Sequence, residues 1–111
     1  MDVFDVEKEA KRIGTGDAWV CKCVWDDYYD FRVIIFNGIG HVRVSIYPEE
    51  VIISDLFVKE NERNEGYGTA LLNYADDLIK MFAPDKDVFI EPLTDWESEW
   101  YTRRGYKVID E

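Results

Sequence analysis

The 111-residue chain is poor in the residues that build metal centres and cross-links. His41 is its only histidine, and Cys21 and Cys23 are its only cysteines. One imidazole and two thiols do not make a zinc site of Cys/His spacing, so no metal is expected. The cysteines stand two apart on one face of an expected strand, which is poor geometry for bridging each other. They read as reduced packing groups of a cytoplasmic protein. No run approaches the roughly 18 apolar residues that a membrane span needs. The start, Met1-Asp2-Val3-Phe4-Asp5, is acidic and lacks a signal peptide's basic end and apolar centre. Positive charge is scarce: 13 Lys and Arg against 24 Asp and Glu leave a net charge of −11. That field opposes sequence-independent binding of nucleic acid and adhesion to an anionic membrane.

What is present is the material of a core. The composition is 47% hydrophobic and 15% aromatic, which excludes a disordered chain. The length suits a single domain over residues 1–111, burying about two thirds of its unfolded surface. Val6, Ala10 and Ile13 recur at helical spacing, so a short helix is expected over Asp5–Ile13, stopped by Gly14. Strands are expected over Trp19–Trp25 and Phe31–Phe36, joined by an acidic turn from Asp26 to Asp30. A third strand alternates, with Val42, Val44 and Ile46 on one face and His41, Arg43, Ser45 and Tyr47 on a solvated one. Val51–Val58 is apolar on both faces except at Ser54 and Asp55, the pattern of a central strand covered on both sides.

The period then changes. Tyr67, Leu71, Ala75, Leu78 and Phe82 form one stripe of an amphipathic helix over Gly66–Phe82, stopped by Pro84. A strand over Val88–Glu91, a helix over Thr94–Arg104 and a strand over Tyr106–Ile109 complete the order. Trp96 and Trp100, four apart, make a packing stripe on that last helix. The fold class is α/β: a mixed sheet, meandering first and then alternating with helices packed on its faces.

One loop carries chemistry. Between the central strand and the long helix lies Arg63-x-x-Gly66-x-Gly68. Glycines permit a tight turn and close approach of a ligand. A helix N-terminus offers unpaired amides and partial positive charge, and Arg63 adds a fixed cation. Phosphate or pyrophosphate suits that cradle. The same pattern also suits a strand-to-helix turn that holds nothing. It is neither a dinucleotide fingerprint nor a P-loop, because the glycine spacing and the Lys-Ser/Thr ending are absent.

Leu56-x-Val58, then Arg63-x-x-Gly66-x-Gly68, then an amphipathic helix, resembles the acetyl-coenzyme A motif of the GNAT superfamily of N-acetyltransferases. Trp100-Tyr101-Thr102-Arg103-Arg104-Gly105-Tyr106 is similar to that family's segment joining the last helix to the last strand. The likeness covers Val51 to Ile109. It implies a GNAT-like fold and transfer of acetyl from acetyl-CoA to a primary amine by direct attack.

The resemblance also implies roles. The cofactor pyrophosphate would sit on the amides of Asn64, Glu65, Gly66, Tyr67, Gly68 and Thr69, beside Arg63. The pantetheine arm would bond the backbone of Leu56, Phe57 and Val58, and an amide near Phe57 or Val58 would polarise the thioester. Tyr101 matches the residue that protonates the departing thiolate; a phenol's ordinary pKa, about 10, is near an alkyl thiol's. Asp55, between Ile53 and Phe57, is the candidate base, with its pKa expected to rise by desolvation. Glu91 is a second candidate.

The chain departs from the family in three places. Thr94 and Asp95 occupy a region where an Asn is frequent, and Glu97 stands where a small residue is common. The two helices that usually separate the first two strands are missing, which leaves the acceptor side open unless the N-terminal helix or a second protomer covers it. An open, acidic acceptor side favours a cationic amine: a polyamine, or a lysine on a basic protein. Exposed strand edges in so small a sheet make a homodimer conceivable. The alternative function is a non-catalytic CoA-binding or protein-interaction domain of the same fold.

Overall fold

A computed structural model describes residues 18–35, 38–63 and 66–109. The helix expected over residues 5–13 lies outside them. Strands β1 (Ala18–Val24), β2 (Tyr29–Ile35), β3 (Gly40–Ile46) and β4 (Glu50–Val58) form an antiparallel meander. A 3₁₀ turn at Glu60–Glu62 leads to α1 (Tyr67–Phe82), then β5 (Asp87–Ile90), α2 (Asp95–Arg103) and the two-residue β6 (Lys107–Val108). β5 pairs in parallel with β4, and β6 with β5, so the six strands lie in sequence order.

Local chemistry explains the boundaries. The Trp25 amide donates to the Tyr28 carbonyl at 2.8 Å, closing a tight hairpin around Asp26 and Asp27. β2 therefore starts at Tyr29, two residues before the expected start. This turn is all that joins the first two strands, as the missing helices implied. Thr94 caps α2, its side chain accepting from the Glu97 amide at 3.1 Å.

The core lies on one face of the sheet. Phe31, Val33, Val44, Val51 and Ile53 are fully buried there beneath Leu71, Ala75 and Leu78 of α1. Tyr101 of α2 joins the same cluster, so both described helices pack on one face instead of being divided between two. Two parallel crossovers advancing in one direction, each right-handed, place their helices on the same side. Gly40 is needed for that packing: a Cβ there would lie 2.9 Å from the Phe57 carbonyl oxygen and 3.0 Å from Leu71.

The opposite face is not the simple solvated surface that its polar residues suggested. Asp30 is fully buried and Ser45 is 4% exposed. Arg43 donates to Asp30 Oδ2 from Nη2 at 2.9 Å and from Nε at 3.2 Å, and Trp25 Nε1 donates to the same oxygen at 3.3 Å. Burial works against the charge on Arg43, and the Asp30 contacts override it, so its pKa is pushed up. Cys21 and Cys23 lie on this face beside Arg32 and Asp30, free and half-buried. Burial, and then Cys23, push the Cys21 thiol up, in keeping with packing groups that stay protonated.

Asp30→Ala should lower stability by roughly 2 kcal/mol, because it strips a half-buried guanidinium of its partner. Urea unfolding measures this; an unchanged midpoint would show that the pair is dispensable.

Candidate active site

The candidate site begins where β4 loses a neighbour. β5 pairs with Glu50–Ile53 only, and its ladder ends with the Glu91 amide donating to the Ile53 carbonyl at 2.8 Å. β4 runs on to Val58, still paired with β3 on its other side. That pairing contains a bulge. Arg43 faces Ser54 and His41 faces Phe57, so Asp55 and Leu56 together oppose Val42. Asp55 takes a left-handed conformation, φ 54°, which Asp tolerates better than most residues.

The bulge decides where the backbone points. The Lys59 amide donates to the Ile39 carbonyl at 2.9 Å, so Phe57, two residues earlier, also faces β3. The alternating residues Leu56 and Val58 turn their amides and carbonyls to the unpaired edge. Arg63 is already there, its Nε donating to the Val58 carbonyl at 3.1 Å. Of the two amides considered for the thioester, Phe57 is therefore turned away and Val58 is turned toward the opening.

The helix start lies next to this edge. Gly66, the residue before α1, has φ 86°, and its carbonyl accepts from the Ala70 amide at 3.0 Å. The amides of Tyr67, Gly68 and Thr69 open the helix, where backbone donors have no intrahelical acceptor. Among the described residues a Cβ on Gly66 would meet nothing within 4 Å. One on Gly68 would touch only Trp100, at 3.7 Å. The first-turn amides of α1 are donors suited to an anionic phosphate group. Asn64 and Glu65 lie outside the described residues.

A second cation was missed by sequence reasoning. Arg104 Nη2 donates to Thr69 Oγ1 at 2.9 Å, and its guanidinium lies 4.2 Å from the Trp100 ring centroid. It thus stands at the mouth of the cradle, although 35 residues separate the two in sequence. Only packing of the end of α2 against the start of α1 brings them together.

Tyr101 is fully buried. Its hydroxyl donates to Glu97 Oε1 at 3.1 Å, while Thr94 Oγ1 donates to Glu97 Oε2 at 3.3 Å. Burial first, and then the Glu97 carboxylate, push the Tyr101 phenol well above its ordinary value. The expectation of a phenol near its ordinary pKa is thereby corrected. Behind it, Tyr106 makes an edge contact at 6.4 Å and donates to Asp76 Oδ2 at 3.2 Å. Burial and then Asp76 push Tyr106 up to about 12. Trp96 and Trp100 stack at 6.2 Å with planes 10° apart, as their spacing implied, yet Trp96 is 66% exposed.

The reasoning for Asp55 is also corrected. It is exposed, and Phe57 is 41% exposed, so the desolvation expected of a central strand covered on both sides is absent. The bulge puts Leu56 and Val58 against the core and leaves Asp55 and Phe57 on the exposed side. Asp55 remains beside the opening by position. Glu91, half-buried, follows the last paired residue of β5 and stands at the point where the strands part. His41 stacks on Phe57 at 5.2 Å and is exposed.

Two clefts lie elsewhere. One of 340 Å³ separates α1 from β5 and β6, lined by Asp76, Lys80, Lys86 and Tyr106. One of 420 Å³ lies at the β1–β2 hairpin beside Trp25, Asp27 and Tyr47. Neither includes the β4 edge.

The unpaired stretch of β4, a glycine turn and a helix start thus lie around one opening. Among protein families, the acetyltransferase (GNAT) domain matches residues 6–108. The chain belongs to the GNAT acetyltransferase family, whose chemistry is acyl transfer. No curated protein matches the chain. Among solved structures, a proposed acetyl transferase from Pyrococcus furiosus shares 24% identity over 95% of this chain and 69% of its own, with a TM-score of 0.58. That likeness is one of fold. A tetramutant of a Bacillus halodurans protein shares 16% identity over 97% of this chain and 71% of its own; its TM-score of 0.46 is too low to bear on the fold.

The Tyr106 shift has a sign that can be tested. A phenol with pKa about 12 when folded and an ordinary 10.0 when unfolded binds its proton more tightly in the folded state. Its contribution is fully present below pH 10 and is lost as pH rises toward 12. Unfolding midpoints across that range should fall less steeply for Tyr106→Phe than for the unaltered protein; parallel curves would contradict the shift.

Proposed function

We propose that the protein is an acetyl-CoA-dependent N-acetyltransferase acting on a primary amine, and that the amine is cationic: a protein lysine or a polyamine. The observation that carries the reading is the unpaired edge of β4 at Leu56 and Val58, opening beside the first-turn amides of α1. An extended amide-bearing arm can add to that edge as a strand does, while its phosphates take the amides of Gly66 to Thr69. Arg63, already at Val58, and Arg104, at Thr69, supply local positive charge in a chain of net −11. The Val58 amide faces the same edge and would polarise a thioester carbonyl placed there.

The acceptor half of the reading rests on charge. A surface with 24 acids draws cations and repels anions, and the short β1–β2 hairpin supplies no helical wall to enclose a small neutral amine. Asp55 or Glu91, at the two sides of the opening, would take the proton of the incoming ammonium through a water. A second reading, a domain that binds the cofactor without transferring from it, is favoured by one observation: Tyr101 is buried and its proton is engaged by Glu97.

Titration with acetyl-CoA should give an affinity at least roughly tenfold weaker for Gly66→Glu, whose side chain would crowd the turn and repel phosphate. Equal affinity for both proteins would remove the proposed cofactor site. Acetylation of basic peptides and polyamines should outpace that of neutral amines, and the gap should shrink as salt is raised. Equal rates would sink the cationic acceptor. Tyr101→Phe should lower turnover with cofactor affinity unchanged; binding without transfer to any amine would instead establish the second reading.

A further inference from the structure

The bond between Tyr101 and Glu97 has no place in a mechanism that uses Tyr101 as a solitary acid. A solitary acid offers its proton to the leaving group. Here the proton points the other way, at 3.1 Å from a carboxylate on the preceding turn of α2. Glu97 sits at the fourth position of a Thr94-x-x-Glu97 cap, yet its carboxylate turns to the Tyr101 and Thr94 hydroxyls. The two ends of the pair differ in access: Tyr101 is fully buried, and Glu97 is half-buried.

Resting on the transferase reading above, we propose that Glu97 is the proton store of the reaction and that Tyr101 is the conduit between it and the thiolate. Once Asp55 or Glu91 has taken the first proton of the ammonium, attack of the neutral amine on the thioester makes an N–C bond and leaves a second N–H proton, which passes to Glu97, breaking N–H and forming O–H. As the C–S bond breaks, the sulfur takes the Tyr101 proton, and the phenol oxygen takes the proton held by Glu97. S–H and a new phenol O–H form while the old phenol O–H and the Glu97 O–H break. The amine proton ends on the thiol, and both side chains return to their starting state. No phenolate ever stands beside a charged carboxylate.

The surroundings fit a conduit better than an acid acting alone. Burial and the neighbouring carboxylate hold the phenol above its ordinary value, so it releases a proton only as another arrives. The other groups facing it are neutral or paired. Tyr106, from the segment after α2, donates to Asp76 of α1, and Arg104 lies over Trp100 and bonds Thr69. Glu97 is thus the carboxylate within hydrogen-bond reach of the Tyr101 hydroxyl among the described residues.

Glu97→Gln separates the roles, because its amide oxygen still accepts from Tyr101 but cannot carry a proton. Turnover should fall roughly 100-fold with acetyl-CoA affinity within about twofold. Glu97→Gln combined with Tyr101→Phe should be no slower than Tyr101→Phe alone. Titration of Tyr101 by tyrosine ring-carbon NMR, assigned with Tyr101→Phe, should move to lower pH in Glu97→Gln whether or not that variant turns over. Full turnover in Glu97→Gln, or an unmoved Tyr101 titration, would overturn the relay. An unaltered protein that binds acetyl-CoA and transfers to no amine would overturn the transferase reading and the relay together. That result differs from failure of the relay alone, in which both proteins transfer equally.

Discussion

Everything at the candidate site follows from one constraint: beyond Ile53, β4 has a partner on one side only among the described residues. β5 is four residues long and stops, while β4 continues for five more against β3. Backbone donors and acceptors without partners are costly when shielded from water, so an edge like this is either solvated or occupied. The bulge at Asp55 sets which residues present their backbone to it. Without the extra residue, alternation would turn Phe57 outward and Leu56 and Val58 inward to β3. The Arg63 contact with the Val58 carbonyl shows that a guanidinium already finds this edge.

Charge is organised by locality. The chain as a whole repels anions, yet the opening collects what attracts them: the start of α1, Arg63 and Arg104. Screening over about 8–10 Å lets such opposites coexist on a small domain. The opposite sheet face solves a different problem. There Asp30 is buried and takes Arg43 and Trp25 on one oxygen, a polar knot inside what the alternation alone presents as a wet face. Two phenol–carboxylate pairs, Tyr101 with Glu97 and Tyr106 with Asp76, line the packing of α2 and β6 against α1.

Much of the architecture was legible because periodicity reports burial directly. The stripe from Tyr67 to Phe82 became α1, and Val42, Val44 and Ile46 became the buried side of β3. The glycine loop was legible because positive φ at Gly66 favours a residue without Cβ, and its place between strand and helix is local. Asp55 was misjudged for an equally physical reason. An apolar run says that a strand is buried, but not that a bulge moves Asp55 and Phe57 to the exposed side while Leu56 and Val58 stay against the core. The hydroxyl of Tyr101 was read from its position in a motif, and its partner Glu97 registered only as a departure from that motif.

The order of strands and helices, the core positions, the family and the place of the glycine loop were determined by the sequence itself. All of them depend on neighbours within a turn or a strand. Tertiary structure alone decided which side of β4 stays unpaired, that Arg104 meets Thr69 across 35 residues, and that Asp30 is buried. It also decided that the Tyr101 proton is held by Glu97, although the two are one helical turn apart. Spacing permits that contact, but only the packing that denies Tyr101 any solvent makes the carboxylate its partner.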